Sequence, residues 1–183
     1  EQDPQTIIFE YPASALSGAV KYIRPAIRLE MGARSDDWPA INAEIGPYAA
    51  EDFPKIFTAP KCKVRTLAAE RTFWEKATLL HAEYHRPADK QPAQRLSRHY
   101  YDIYRLYGQD IGRRALEQRK LLERVIQHKR LFFSQAWAHY ETAKPGTFHL
   151  LPAKDRMDSL KKDYAAMQDM IFREAPKWDD IIN

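Results

Sequence analysis

The sequence predicts an α+β protein with strands first and helices after, and three observations carry that prediction. Segments before residue 68 alternate apolar and charged side chains, as half-buried strands do. Segments after residue 69 carry apolar residues at helical spacing. Between the early strand signals, Gly32, Pro39, Gly46, Pro47, Pro54 and Pro60 punctuate the chain too often for a long regular element. The expected division is residues 1–68, strands and loop, and residues 69–183, a helical region.

Taken in order, Thr6-Ile7-Ile8-Phe9-Glu10 reads as a strand. Val20 to Met31 reads as a second, with Ile27, Leu29 and Met31 on a buried face and Arg28 and Glu30 on the other; Pro25 sets its start near an edge or bulge. Residues 32–60 are expected to form a long loop with one helical turn at most. Cys62 to Leu67 is a short strand, followed by a helix from about Ala69 to His85 that Arg86-Pro87 ends, because the residue before a proline avoids helical geometry. Ala88 to Gln94 is a polar linker. Further helices are expected at Arg95 to Tyr107, stopped at Gly108, at Arg114 to Ala143, ended by Pro145-Gly146, and at Lys154 to Glu174.

Composition narrows the class. With 44% hydrophobic and 30% charged residues, the 183-residue chain reads as globular, and it is long enough to bury a core. A single cysteine, Cys62, excludes a disulfide framework within the chain and is expected to serve strand packing. No apolar run is long enough to cross a membrane and no secretory signal is visible, so the reducing cytoplasm is the expected compartment. The first residue is Glu1, not Met, and a strand follows almost at once, which reads as a piece of a longer protein.

The net charge of +4 hides an asymmetry. Residues 61–130 hold 17 Lys and Arg against 8 Asp and Glu, leaving 12 against 17 elsewhere. A basic centre attracts phosphates, although a solvated helical surface explains the same count.

Two segments each place an unexpected charge among aromatics: Arg71-Thr72-Phe73-Trp74-Glu75-Lys76-Ala77-Thr78 and Ser97-Arg98-His99-Tyr100-Tyr101-Asp102. Lys76 flanks an apolar stripe of Phe73, Ala77, Leu80 and Tyr84, so its ammonium needs a partner or a cleft. Arg95, Arg98, Asp102 and Arg105 fall on one polar helix stripe. The structural reading is an Arg98–Asp102 ion pair within the helix and a snorkelling Lys76. The functional reading makes Lys76 and Asp102 halves of one site.

Those two segments, together with Phe9-Glu10-Tyr11-Pro12 and the stretch Tyr22-Ile23-Arg24-Pro25-Ala26-Ile27-Arg28-Leu29-Glu30-Met31-Gly32-Ala33-Arg34-Ser35, resemble the carboxy-terminal part of the nucleotidyl transferase AbiEii/AbiGii toxin family. The resemblance extends through Lys129 to Trp137 and Tyr164 to Phe172. It implies strands of a polymerase β-like nucleotidyltransferase core followed by a helical region, in a bacterial toxin of toxin–antitoxin or phage-defence systems. It implies transfer of a nucleotide from a nucleoside triphosphate, with Mg²⁺, to an acceptor such as transfer RNA, and an antitoxin protein as partner; no membrane is implied.

The resemblance carries Glu30 over as the carboxylate of the second motif, expected to serve metal or acceptor activation, Lys76 as the lysine of the third and Asp102 as the aspartate of the fourth. In such a transfer carboxylates hold the metal or take the acceptor's proton, while Lys and Arg neutralise charge on phosphate oxygens. Lys76 is thus expected at the triphosphate, with Arg98, Arg95 and Arg28 as further nucleotide-binding candidates. Asp102 either orients Lys76 or acts on the acceptor. The competing structural assignments pair Glu30 with Arg28 or Arg34 and use Asp102 to position its helix.

One departure stands out. The first motif, a glycine turn followed by an acidic pair on a strand, has no counterpart here: Gly18 stands alone, and Asp36-Asp37 follows Glu30 beside Trp38-Pro39. Glu30 alone should not hold a catalytic Mg²⁺. The expectation is a carboxy-terminal piece of a larger enzyme, or a decayed copy, inactive by itself; the alternative is a noncatalytic helical module that binds RNA or an antitoxin.

Other constellations are weaker. His81 and His85 stand one helical turn apart without the H-E-x-x-H order of a zinc helix, and are expected to face solvent or cap the helix end. Phe132, Phe133, Trp137 and Tyr140 are expected in the core. The cations from Arg119 to Arg130 suit either an RNA backbone or solvent.

Overall fold

Segments of alternating pattern pair into two separate antiparallel hairpins, and the helix-periodic remainder packs around one central helix. The computed structural model describes residues 5–10, 25–32, 35–91, 93–172 and 174–183. Strand β1 (Thr6–Glu10) pairs with β2 (Ala26–Glu30), Thr6 opposite Glu30 and Glu10 opposite Ala26. Strand β3 (Ala40–Ile45) pairs with β4 (Cys62–Leu67), and a single turn of helix, α1 (Ala49–Asp52), lies in the connection between them. The mixed architecture agrees with the α+β expectation.

The strand expected from Val20 is described only from Ala26 onward; Val20 to Arg24 lie outside the described residues, as do Gly18 and Arg34. Its half-buried face is a correction: Ile27, Leu29 and Met31 are 57%, 47% and 53% exposed. Two strands bury little by themselves, and among the described residues no helix packs extensively on this hairpin. The expected long loop at 32–60 is also corrected, because Ala40–Ile45 forms β3. Its partner strand was legible and it was not, since Asn42 and Glu44 share its length with few β-branched residues. Cys62 heads β4 exposed, rather than packed.

Helix α2 (Ala69–Tyr84) is the centre of the helical body. Phe73, Trp74 and Ala77 on one part of it bury against Ala115, Leu121, Leu122 and Val125. Leu80 joins a second cluster with Leu96, Tyr100, Leu160, Tyr164, Met167 and Trp178, and Ala82 a third with Ala138 and Tyr140. One helix therefore feeds three patches of core, which is why its sequence is apolar on more than a single stripe.

Helix α3 (Ser97–Tyr107) starts two residues later than expected. Its first turn is held by Asp163, whose Oδ2 accepts from the Ser97 backbone N–H at 2.9 Å and from its hydroxyl at 2.6 Å. A carboxylate at the positive end of a helix satisfies a free amide and the dipole together. Arg95 is left outside the helix, with φ 56°.

The single long helix expected from Arg114 to Ala143 is three pieces: α4 (Ile111–Glu117), α5 (Arg119–Phe132) and one 3₁₀ turn at Tyr140–Thr142. Trp74 explains the first break. Its indole Nε1–H donates to the Ala115 carbonyl at 3.1 Å, and Gln118 N–H closes a tight turn on the same oxygen at 2.9 Å. An unbroken helix would reserve that carbonyl for residue 119. Gly112 admits the close approach of the preceding turn, since a Cβ there would stand 2.9 Å from Tyr107 Cα. The last expected helix, Lys154 to Glu174, also divides, into a 3₁₀ turn at Lys154–Arg156, α6 (Met157–Met167) and another 3₁₀ turn at Gln168–Met170; beyond it stands α7 (Trp178–Ile182), which was not expected.

The β3–β4 hairpin is tied to this body by charge. Arg71, fully buried on α2, donates to Asp36 Oδ2 at 2.7 Å, to Glu75 Oε1 at 2.9 Å and to the Trp38 carbonyl. Arg124 of α5 grips both oxygens of the same Asp36, at 2.6 and 2.8 Å, and stacks over the Trp38 ring. The paired guanidinium of Arg124 and then Arg71 hold the Asp36 carboxyl well below the usual range against the opposing effect of burial.

Candidate functional site

Lys76 and Asp102 meet across the α2–α3 contact. Helix geometry turns Lys76 away from the buried Phe73–Ala77–Leu80 stripe, and the Ser97–Asp163 cap sets where α3 begins. The Lys76 Nζ lies 2.9 Å from Asp102 Oδ2 and 2.9 Å from His99 Nδ1. Lys76 is 25% and Asp102 36% exposed, so the pair faces a cleft instead of the core.

An ammonium has only hydrogens to offer, so His99 Nδ1 must be the acceptor and the neutral ring carries its proton on Nε2. Burial lowers the His99 pKa below 6.5, and the positive charges of Lys76 and Arg98 lower it further, despite the Asp102 carboxylate. Burial alone would raise the Asp102 carboxyl; its polar neighbours His99 and Lys76 outweigh burial and hold it below its ordinary value, and with the ring neutral the charge comes from the Lys76 ammonium. Lys76 is the one in hydrogen-bond reach, because His99 Nδ1 stays 3.7 Å from Asp102 Oδ2. Two of the three ammonium hydrogens are thereby engaged, which leaves one.

Asp102, Arg98, Tyr101 and Arg105 form one wall of a cavity of about 870 Å³. Tyr48 beside α1 faces them, with its ring 5.6 Å from that of Phe172. Arg98 and Arg105 are exposed on this wall and neither makes a hydrogen bond or ion pair among the described residues. The Arg98–Asp102 pair expected within the helix is therefore corrected: Lys76, from another helix, takes Asp102.

Among the described residues, Glu30 and Arg28 make no contact with this group. Glu30 and Arg28 form an exposed ion pair with each other, Nε to Oε1 2.9 Å, which is the structural alternative weighed for Glu30. Arg95 is off the α3 stripe on which it was placed. Among the described residues no group of three or more His, Cys, Asp and Glu side chains is disposed to hold a metal ion. With Glu30 paired to Arg28 and Asp102 to Lys76, the described residues do not fit a divalent-cation site.

Two readings of aromatic and histidine residues also change. His81 is fully buried, not solvent-facing: its Nδ1 accepts from the His149 N–H at 3.1 Å, so its Nε2–H points to the His139 carbonyl at 3.1 Å. Phe132 and Phe133 are 42% and 49% exposed, while Tyr140 is buried as expected. Of the cations on α5, Lys129 is buried on Glu75 at 3.1 Å and Arg124 is spent on Asp36, so neither serves as a free phosphate ligand.

Sequence reasoning missed His99, although its place three residues before Asp102 on one helix was enough to set the two side by side. It weighed Asp36 only as half of the Asp36-Asp37 pair, and no local signal marks it as the partner of Arg71 and Arg124.

Asp102, held from behind by Lys76, thus lines a cavity together with the free Arg98 and Arg105, aromatic edges from Tyr48, Tyr101 and Phe172, and the carboxylates of Glu51, Asp52 and Glu174. Over residues 1–183 the chain matches the family described as nucleotidyl transferase AbiEii toxin, type IV TA system, and it belongs to that family. No curated protein and no solved structure matches the chain. Membership assigns it to the nucleotidyltransferase toxins of type IV toxin–antitoxin systems. Among the described residues, no helix is long and apolar enough to cross a membrane.

Proposed function

We propose that the cavity beside Lys76 and Asp102 receives the triphosphate of a nucleoside triphosphate, with Lys76, Arg98 and Arg105 on the phosphates and Asp102 holding Lys76. The observation that carries the reading is the 2.9 Å Lys76–Asp102 contact at the edge of that cavity. In nucleotidyl transfer an acceptor hydroxyl attacks the α-phosphorus and pyrophosphate leaves, so negative charge grows on the departing oxygens. Fixed cations stabilise that charge best where water is excluded.

Asp102 suits an orienting role better than that of a base. A carboxylate held below its ordinary pKa, with an ammonium in contact, accepts a proton reluctantly. Residues 1–68 would then belong to the nucleotidyltransferase core and residues 69–183 to the helical region that shapes the cleft. The acceptor is an RNA such as transfer RNA, and an antitoxin protein is the regulatory partner. Mg²⁺ supplies charge neutralisation in this chemistry, and the carboxylates that would bind it are not assembled among the described residues. Glu30 remains the family's second-motif candidate, through its sequence position alone.

Titration of the chain with a fluorescent nucleoside triphosphate tests this. Lys76→Ala and Arg98→Ala should each weaken binding by roughly tenfold or more, the scale of one charge-assisted contact. Unchanged affinity in both variants would refute the site. The noncatalytic alternative draws on the unassembled carboxylates, and it gains if the chain binds transfer RNA while ignoring nucleotides.

A further inference from the structure

We infer that His99 is a positioning residue for Lys76: its neutral imidazole accepts one ammonium hydrogen, and with Asp102, a lining residue of the cavity, it fixes the ammonium beside that wall with one hydrogen left to offer. This rests on the triphosphate reading only for the identity of the ligand, not for the contact itself.

The geometry needs two anchors. A lysine ammonium on a four-carbon stem with a single carboxylate partner can swing about that contact and keep it. A second acceptor narrows that freedom. His99 Nδ1 and Asp102 Oδ2 both stand 2.9 Å from Nζ and 3.7 Å from each other, so keeping both contacts confines Nζ to an arc about the line joining the two acceptors, where one contact alone would leave it the surface of a sphere. His99 is 9% exposed, and a ring so enclosed has little rotamer freedom to follow a moving lysine.

Protonation undoes the arrangement. A proton on Nδ1 would point an N–H at the ammonium, replacing a hydrogen bond with repulsion, and Lys76 would be left on Asp102 alone. The charged groups around the ring are Lys76 from α2 and Arg98 and Asp102 from α3. The two cations oppose protonation and the carboxylate favours it, so the ring stays neutral at pH 7. Phosphate affinity at this site should accordingly hold through neutral pH and fall as His99 gains its proton in acid.

Nitrogen-detected NMR of the imidazoles reads the contact without any ligand. The expected spectrum has the His99 proton on Nε2 and an acceptor Nδ1 whose shift moves in Lys76→Met. A proton on Nδ1, or a His99 signal indifferent to Lys76→Met, would overturn the inference. Binding of the fluorescent triphosphate is then measured from pH 5 to 8 for the native chain, His99→Asn and His99→Phe. Asn keeps an acceptor near the Nδ1 position and should retain affinity with no acid step beyond the nucleotide's own titration, which is common to all three proteins. Phe keeps the ring and lacks the acceptor, and should bind roughly tenfold more weakly at neutral pH. Native-like affinity in a folded His99→Phe, or an acid step that persists in His99→Asn, would also overturn the inference. If the NMR signature is present but no triphosphate binds to any form, the positioning of Lys76 stands and the nucleotide reading falls.

Discussion

The Nζ of Lys76 lies 2.9 Å from Oδ2 of Asp102, although the two residues belong to different helices separated by a turn and a polar linker. Because α2 also carries the core contacts of Phe73, Trp74 and Leu80, the lysine is placed by packing on the other sides of its own helix. The pair is half-exposed, so it adds little to stability, and its value is in where it holds a cation.

Asp102→Asn should therefore separate function from folding. The variant removes the charge that restrains Lys76 and keeps the shape. Its thermal midpoint at neutral pH should stay close to that of the native chain, while triphosphate affinity drops by roughly tenfold. A large loss of stability with unchanged affinity would contradict the orienting role.

Asp36→Ala should act in the opposite way. It leaves the fully buried Arg71 without its carboxylate partner on the β3–β4 side and frees Arg124, at a cost of roughly 3 kcal/mol. Urea unfolding would measure the loss. Arg71 retains Glu75 and the Trp38 carbonyl, so the helical body is expected to persist.

The same carboxylate sets an acid limit. Its folded pKa lies below the ordinary 3.8, so its contribution is complete above about that pH and is lost as pH falls through the folded value. Unfolding midpoints followed downward from pH 5 should decline in the native chain and decline less in Asp36→Asn, which starts lower.

His81 gives a second, higher acid window. Burial, with the neighbouring His149 and His139, lowers its pKa below 6.5 despite the His139 carbonyl that favours the charged ring. A depressed histidine pKa stabilises the fold above its unfolded value and ceases to do so as pH falls through the folded value. Stability should fall below about pH 6.5, and His81→Gln should flatten that slope when midpoints are compared from pH 7 to 5.

Transfer chemistry offers the last prediction. With Glu30 tied to Arg28 and no metal-holding group among the described residues, the 183-residue chain should bind triphosphate and transfer no nucleotide to RNA by itself. Incorporation of labelled nucleotide by this chain with Mg²⁺ present would contradict it.

The local periodicities in the sequence determined β1, β4 and α2 closely, because alternation and helical spacing are properties of neighbouring residues. The charged misfits Lys76 and Asp102 were visible for the same reason. What tertiary structure decided were partners far along the chain. Asp36 reaches Arg71 and Arg124 across 35 and 88 residues, and no local pattern marks such a pair. The break between α4 and α5 depends on the Trp74 indole claiming the Ala115 carbonyl 41 residues away, in a stretch with no proline or glycine to announce it. Lys76 likewise was legible as a charge in need of a partner, but only the packing of α2 on α3 could choose Asp102 and His99 over solvent, since that choice is set by distances between helices and not by spacing within one.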